Sequence, residues 1–295
     1  MRILLIGLLL CFSSQNALAW GQEGHAIVAE IAHRHLSPRA RMRIAGILGE
    51  GVSLASVSTW ADDVRTTRPE TYNWHFVDIP LDVPIYDPAR DCKPNKEKGD
   101  CVIAEVARLR AALTRRRLRP EARREALKYL VHFIGDLHQP LHTLLEETGA
   151  NDRKVRFFKQ PNSAHGPAPK EDTNLHAVWD SGLIRHCTWG WNAYAARLQK
   201  DWLPKHNINA LAKGTVIEWV QEAHKAAKDV AFTVPMNADV DDDYVARVLP
   251  TLDRQLAVAG LRLARVLNEA FGSKPRPYRS AVAADRLEGW YCGTS

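Results

Sequence analysis

Apolar residues recur three and four positions apart along most of the chain, as they do on the buried face of an amphipathic helix. Proline and glycine mark several boundaries between these stretches, including Pro38, Gly49 and Pro120. The pattern predicts helices over residues 26–36, 39–48, 102–118, 121–138, 175–184, 189–203, 208–232 and 242–271. The chain is therefore predicted to be mainly helical.

Segments with the pattern of a β-strand are rare. Only residues 155–158 have the composition of a convincing strand. Residues 77–101 and 146–173 are rich in proline, glycine, asparagine and charge, and we predict long loops there, which are often functional in a compact domain. No repeat or linker divides the chain. We predict one all-α domain over residues 20–295 with at most a short β-hairpin.

The first 19 residues have the features of an export signal. Arg2 precedes an apolar run over residues 3–12, and Ala17-Leu18-Ala19 supplies the small residues of a cleavage site. The run is too short for a permanent membrane anchor. Cleavage after Ala19 would make Trp20 the first residue and place the protein in the periplasm or outside the cell. It would lower the net charge from +6 to +5, which favours anionic partners only weakly.

Four cysteines remain beyond the export signal, and an even number in an exported chain suggests two disulfides. Three pairings are possible. A bond between Cys92 and Cys101 would close a polar loop, and a bond between Cys187 and Cys292 would hold the C-terminal tail. We favour these two.

Residues 132–142 contain three histidines and one aspartate in a stretch that is otherwise apolar. His132 and Asp136 are four positions apart, so on a helix they share one face. Pro140 ends the helix and lets His142 turn toward a second position. Buried imidazoles and carboxylates are costly unless they are paired or bind a metal, and this donor set suits zinc better than magnesium or calcium.

Four other segments place histidine or aspartate near a tryptophan, and they are WGQEGH at 20–25, WADDVR at 60–65, WHFVD at 74–78 and NLHAVWD at 174–180. In the last segment His176 and Asp180 are again four positions apart. One such pair is weak support for a metal site, because ordinary buried hydrogen bonds also produce it. Two pairs, His142 and the tryptophan-flanked segments together are strong support for metal binding, at one site or several.

With these segments in this order, the chain resembles the zinc-dependent single-strand nucleases and 3′-nucleotidases of the S1/P1 type. The resemblance rests on the motifs WGxxGH, WAD, HFxD, HFIGDxxQPLH and NLHxxWD and covers nearly the whole chain after residue 19. That family shares its all-helical fold with zinc phospholipase C. The resemblance implies an exported endonuclease that cleaves single-stranded RNA and DNA to 5′-phosphorylated products and acts on 3′-nucleotides. No obligate protein partner is evident.

The resemblance also implies a cleft with three zinc ions. The first ion would be held by Asp62, His75, His132 and Asp136. The second would be held by His142, His176 and Asp180. The third would be held by the α-amine and carbonyl of Trp20, by His25, and by Asp136 as a bridge. A free α-amine has a pKa of about 8, so a metal can displace its proton, and signal cleavage would then be an activation step.

The remaining site residues come from the same resemblance. Arg65 and Asn151 match positions that bind phosphate in the family, and Arg65 is counted with Asp136 as catalytic. Phe76 and Asp78 match a base pocket, in which the ring stacks on the base and the carboxylate accepts hydrogen bonds from its edge. Ala150 stands where the family usually has glycine. Because alanine resists a positive φ, we expect the loop that carries Asn151 to be arranged differently.

Two other functions stay open from the sequence. A zinc phospholipase C would keep the metals but act on a lipid headgroup, and a zinc-binding protein without activity would keep only the metals. Three further features have ordinary interpretations. We expect His138 to support the site without binding metal. The basic run 115–119 is interpreted as a solvated helix end, and the acidic run 239–243 as a helix N-terminus.

Overall fold

Helices dominate residues 20–115, 117–158, 170–188 and 190–271, which the computed structural model describes, and they confirm the all-α prediction. In chain order the α-helices are α1 (Gln22–Arg34), α2 (Pro38–Leu48), α3 (Trp60–Arg65), α4 (Pro88–Asp91), α5 (Val102–Thr114), α6 (Pro120–Asp136), α7 (Leu175–Ala177, continued by the π-helical turn Val178–Gly182 and by Leu183–Cys187), α8 (Trp191–Arg197, continued by the π-helical turn Leu198–Trp202), α9 (Ile208–Leu211), α10 (Val216–Asp229) and α11 (Asp242–Ala270). Short 3₁₀ turns occur at Ala55–Val57, Pro69–His75, Pro140–Thr143, Leu203–Lys205 and Ala231–Thr233.

The predicted helix over residues 208–232 is wrong as a single element, because the structure divides it into α9 and α10. Gly214 has φ +101°, which ends the first piece. Thr215 then starts the second with a capping box, in which its hydroxyl accepts from the Glu218 amide and the Glu218 carboxylate accepts from the Thr215 amide. The acidic run 239–243 does begin a helix, since the Asp241 carboxylate accepts from the Tyr244 amide.

Helices α1, α6 and α11 form the centre of the core. The contact between α1 and α11 is close, because a Cβ at Gly260 would stand 2.6 Å from Cβ of Ile31. Helix α6 packs between α5 and α11, and its second half is buried without interruption from Tyr129 to Asp136. Polar side chains in that half cannot reach solvent along the helix, so they must find partners inside the protein.

A small three-stranded sheet stands beside the helices in the order β2-β1-β3. Strands β1 (Lys154–Phe158) and β2 (Lys170–Asn174) pair antiparallel, and β3 (Ala238–Asp239) adds to β1 in parallel. The sequence predicted β1 and a hairpin at most. A two-residue strand such as β3 is too short to leave a periodic pattern, and its position depends on a contact between distant parts of the chain.

Cys92 and Cys101 form a disulfide with their Cα atoms 5.2 Å apart, as predicted. Cys292 lies outside the described residues, as do residues 1–19, so the second predicted disulfide and the export signal stay predictions. Among the described helices, none is long and apolar enough to cross a membrane.

Candidate active site

Four candidate ligand atoms from three parts of the chain converge at the C-terminal end of α6. Nδ1 of His75, Nε2 of His132 and Oδ2 of Asp136 lie 3.1 Å from one another. Oδ1 of Asp62 lies 3.5 Å from both histidine nitrogens. Four tetrahedral ligands at the usual zinc bond length of about 2.0–2.1 Å stand about 3.3–3.4 Å apart. The spacing of this group therefore fits a tetrahedral zinc ion.

A hydrogen bond at the far side of its ring fixes which atom of His132 faces this group. Nδ1 of His132 donates to the Ser58 carbonyl at 2.7 Å, which leaves the Nε2 lone pair facing the carboxylates in the neutral ring. Burial opposes a charge on His132, but Asp136 and Asp62 outweigh it and hold its pKa well above the ordinary value. A bound cation would replace that proton, as metal binding to a histidine site normally does.

A second group lies on the other side of Asp136, where His142 and His176 stack at 5.0 Å between ring centres. Nε2 of His142 is 3.7 Å from Oδ1 of Asp180, and Nε2 of His176 is 3.3 Å from Oδ2. Burial lowers the pKa of His142 to about 3 and that of His176 to about 4, so both rings are neutral near pH 7. Three neutral or anionic donors leave room for a water or substrate ligand, as in a catalytic zinc site.

The third group contains His25, whose ring stacks on His132 at 3.8 Å. Nε2 of His25 is 3.4 Å from Oδ1 of Asp136, so the two oxygens of that carboxylate face different histidines. The same histidine also lies within metal-binding reach of Asp62 and His132. Both ring nitrogens of His25 and Oδ1 of Asp136 are buried without a hydrogen-bond partner. Such atoms are rare inside proteins, and a bound cation would account for them.

Trp20 is fully buried beside this group. Its indole nitrogen donates to the Gly135 carbonyl at 3.0 Å, and the next amide, of Gly21, donates to the Asp180 carbonyl at 2.9 Å. The start of the mature chain predicted from the sequence is thus held between the residue before Asp136 and a residue of the second group. Space beside Gly21 is tight, since a Cβ there would stand 1.8 Å from Oγ of Ser181 and that hydroxyl would have to turn away.

Arg65 and Asn151 border the second group. The Arg65 guanidinium stacks over the Tyr72 ring at 4.2 Å and donates to the Tyr72 carbonyl. Burial lowers the pKa of His176, and the positive charge of the nearby Arg65 lowers it further. Nδ2 of Asn151 lies 3.3 Å from Nδ1 of His176. A guanidinium and an amide beside paired carboxylate and imidazole ligands form a suitable environment for a phosphate group.

Phe76 and Asp78, which follow His75 in the sequence, line a cavity of about 290 Å³. Arg90, Asp91 and Leu145 also line it. Neighbouring atoms partly remove water from the Asp78 carboxyl group, and this desolvation, together with the negative charge of Asp91, raises its pKa to about 6. The cavity combines an aromatic face with a carboxylate edge and is large enough for a nucleobase.

The chain matches known nucleases over almost its whole described length. The sequence model of the S1/P1 Nuclease family matches residues 20–272. Nuclease P1 from Penicillium citrinum is 31% identical over 275 residues, which cover 86% of this chain and 99% of that protein. Endonuclease 2 from Arabidopsis thaliana is 28% identical over 304 residues, which cover 92% of this chain and 97% of that protein. Nuclease S1 from Aspergillus oryzae is 27% identical over 283 residues, which cover 86% of this chain and 93% of that protein.

The chain belongs to the S1/P1 nuclease family. The family resemblance seen in the motifs is therefore confirmed, and the protein is an enzyme that hydrolyses nucleic acid. The three groups of histidine and aspartate side chains give this S1/P1 nuclease sites able to hold metal ions.

Gln139 and Tyr72 support the site of this S1/P1 nuclease, and the sequence predicted neither role. Nε2 of Gln139 donates to Oδ1 of Asp180 at 2.6 Å, and its Oε1 accepts from the Leu141 amide. Gln139 is fully buried, so a polar residue in an apolar segment was the available signal. Tyr72 supports Arg65, and nothing in the sequence indicated that contact. Nδ1 of His138 donates to the Ile134 carbonyl, and its Nε2 lies 3.0 Å from Nη1 of Arg262.

The expectation that Ala150 would avoid a positive φ is wrong. Ala150 adopts φ +65°, which alanine was expected to resist, and Glu147, Thr148 and Gly149 also have φ between +50° and +62°. These four residues form one left-handed helical turn. The left-handed conformation costs about 1–2 kcal/mol for each residue with a Cβ. Neighbouring contacts must supply this free energy.

Proposed function

We propose that this S1/P1 nuclease is an exported, zinc-dependent endonuclease that hydrolyses single-stranded RNA and DNA to 5′-phosphorylated products and also acts as a 3′-nucleotidase. The observation that carries the proposal is the convergence of Asp62, His75, His132 and Asp136 at 3.1–3.5 Å, which fits a tetrahedral zinc ion. Three ions are proposed because two further groups flank this one.

The proposed assignment of ligands follows the two oxygens of Asp136. Oδ2 would join the first ion with Asp62, His75 and His132. Oδ1 would join the third with His25 and the amine and carbonyl of Trp20, and the second ion would take the group that follows, His142, His176 and Asp180. Bound zinc ions supply an activated water and neutralise the charge of a phosphate.

The chain itself would hold and orient the scissile phosphate. Arg65 presents a planar guanidinium that can bind two phosphate oxygens at once and stabilise the charge that develops in the transition state. The Tyr72 ring and carbonyl limit its motion, so less entropy is lost on binding. Asn151, held beside His176, would donate to a third oxygen.

Preference for single strands would come from the cavity at Phe76 and Asp78. A base can enter it only after it has left the stack, and single-stranded nucleic acid loses little in doing so. Stacking on an aromatic ring contributes about 1–3 kcal/mol per base and tolerates different bases. The same cavity favours a nucleotide over a phospholipid headgroup, because a carboxylate edge beside a ring matches a base.

Export is proposed from three observations. Residues 1–19 have a charged start, an apolar run and a small-residue cleavage site. The Cys92–Cys101 disulfide is typical of an oxidising compartment. The family match begins at Trp20, which would be the first residue after cleavage.

A substrate panel tests the proposal. The mature protein is stripped with a chelator, reloaded with zinc or magnesium, and offered single-stranded RNA, single-stranded DNA, duplex DNA, a 3′-nucleotide and phosphatidylcholine. We expect zinc to restore cleavage of the first two and of the 3′-nucleotide, with slow cleavage of duplex and products that carry a 5′-phosphate. Faster cleavage of phosphatidylcholine, or a zinc-loaded protein that cleaves no phosphate ester, would contradict it.

A further inference from the structure

The left-handed turn Glu147–Ala150 stands between the second metal-binding group and the segment that follows α10. Its residues have φ values of +50°, +56°, +62° and +65°, and only one of the four is glycine. Gly149 cannot be replaced by a larger residue, because a Cβ there would lie 2.8 Å from the Leu141 carbonyl. A turn of this kind persists only where surrounding contacts hold it, and such turns concentrate at functional sites.

The turn aims two carbonyl groups at residues of the candidate active site. The Gly149 carbonyl accepts a hydrogen bond from Nδ1 of His176 at 2.6 Å, which leaves Nε2 facing Asp180. The Thr148 carbonyl accepts from Nδ2 of Asn151 at 2.8 Å. Both carbonyl positions depend on the left-handed backbone, so the turn sets the orientation of a proposed metal ligand and of a proposed phosphate ligand together.

Arg153 supplies the charged contacts that hold the turn, beside a hydrogen bond from the Thr148 hydroxyl to the Asp152 carboxylate. Its Nε and Nη2 donate to the two carboxylate oxygens of Glu147 at 2.8 Å and 2.5 Å, which is a bidentate pair at the first residue of the turn. Its Nη1 donates to the Val234 carbonyl at 2.8 Å, and its guanidinium lies 3.7 Å from the Phe232 ring centre. One side chain thus ties the turn to the segment after α10.

We propose that Arg153 is a positioning residue for the second metal site, acting through Glu147 and the left-handed turn on His176 and Asn151. The proposal rests on the proposed function for the identity of the ion, zinc, and adds residues that do not touch it. Three of the five N–H groups of Arg153 already donate within the protein and its charge is paired with Glu147, which favours a positioning role over direct binding of phosphate. A lysine cannot form the same planar, bidentate pair.

The test measures zinc binding, which does not require activity. Arg153→Met, Arg153→Lys and Glu147→Gln are compared with the unchanged protein by zinc titration against a competing chelator. We expect one zinc site to weaken by about 10- to 100-fold, the usual effect of losing a supporting contact around a metal ligand, while the other sites stay as they were. In nuclease assays the turnover rate should fall more than the KM rises.

A suppressor and a control sharpen the result. Glycine adopts a positive φ without strain, so Ala150→Gly combined with Arg153→Met should restore part of the lost zinc affinity. Arg156→Met is the control, since Arg156 lies three residues further along the chain, in β1, and pairs with Asp239 and not with the turn. Its zinc affinity should not change.

The proposal is overturned if Arg153→Met binds zinc at all sites as tightly as the unchanged protein. It is also overturned if Arg153→Lys, Arg153→Met and Glu147→Gln lose every site together with the fold, since a purely structural role would do that. Failure of the proposed function is a separate outcome: the unchanged protein would bind zinc but cleave no nucleic acid, and the zinc titrations would still decide the role of Arg153.

Discussion

At the scale of single residues, the candidate active site depends on which atom of each side chain is left available. His132, His142 and His176 each donate a hydrogen bond from Nδ1 to a backbone carbonyl. The acceptors are the carbonyl groups of Ser58, His75 and Gly149 in turn. The other nitrogen of each ring therefore faces a carboxylate, and in the neutral ring it presents a lone pair there. Lone pairs and negative charges that face one another in a buried site repel unless a cation lies between them.

Arg65 should contribute to turnover and not to metal binding. Arg65→Ala is expected to keep the full zinc content and to lower the turnover rate by about 10²- to 10³-fold, the range seen when one donor to a developing negative charge is removed. Zinc analysis and steady-state kinetics on a dinucleotide measure both. Arg65→Lys should recover part of the loss, since it keeps the charge. A normal turnover rate in Arg65→Ala would mean that Arg65 does not touch the phosphate.

Asp78 should make base binding depend on pH. Its pKa is raised to about 6, so the carboxylate is ionised and accepts hydrogen bonds above that pH, and it gains a proton and loses an acceptor below it. We expect the KM for a guanosine dinucleotide to rise as pH falls from 7 to 5. In Asp78→Asn the KM should be higher at pH 7 and should change less over this range. Identical pH profiles for both proteins would exclude Asp78 from the base contact.

At the scale of elements, helix spacing predicted the pairs His132–Asp136 and His176–Asp180. In the structure the two members of each pair lie on the same face of their own helix, α6 and α7 in turn. Their positions relative to Asp62 and His75 could not be derived from local pattern, because they depend on how α3 and the turn Pro69–His75 pack against α6. The family motifs supplied that link. The left-handed turn was unpredictable, since its backbone opposes the preferences of Glu147, Thr148 and Ala150 and depends on the distant partner Phe232.

Helix α6 needs Gly135 so that α1 can bring His25 close. A Cβ at position 135 would stand 2.8 Å from Nδ1 of His25. Gly135→Ala should therefore displace His25 and weaken one zinc site, although alanine favours a helix by about 1 kcal/mol over glycine. Gly46→Ala in α2 is the control, because nothing lies within 4 Å of its Cβ, and it should raise the melting temperature. Unchanged zinc binding in Gly135→Ala would remove His25 from the metal centre.

At the scale of the whole molecule, the predicted maturation step joins export to activity. Trp20 is buried between Gly135 and the second group, so residues left ahead of it would enter a closed region. A protein that keeps an extra N-terminal residue should fold, but it should bind about one zinc fewer and cleave RNA more slowly, because an amide nitrogen cannot replace the amine that is proposed as a ligand. Trimming the extension should restore both. Equal zinc content and activity before and after trimming would contradict ligation by the Trp20 amine.

Diffraction from crystals of the mature, zinc-loaded protein, recorded on both sides of the zinc absorption edge, tests the central claim most directly. We predict three anomalous peaks around Asp136. One should lie among Asp62, His75 and His132, one beside His25 and the amine of Trp20, and one among His142, His176 and Asp180. Peaks elsewhere, or no peak among Asp62, His75, His132 and Asp136, would contradict a zinc-dependent nuclease built on this group.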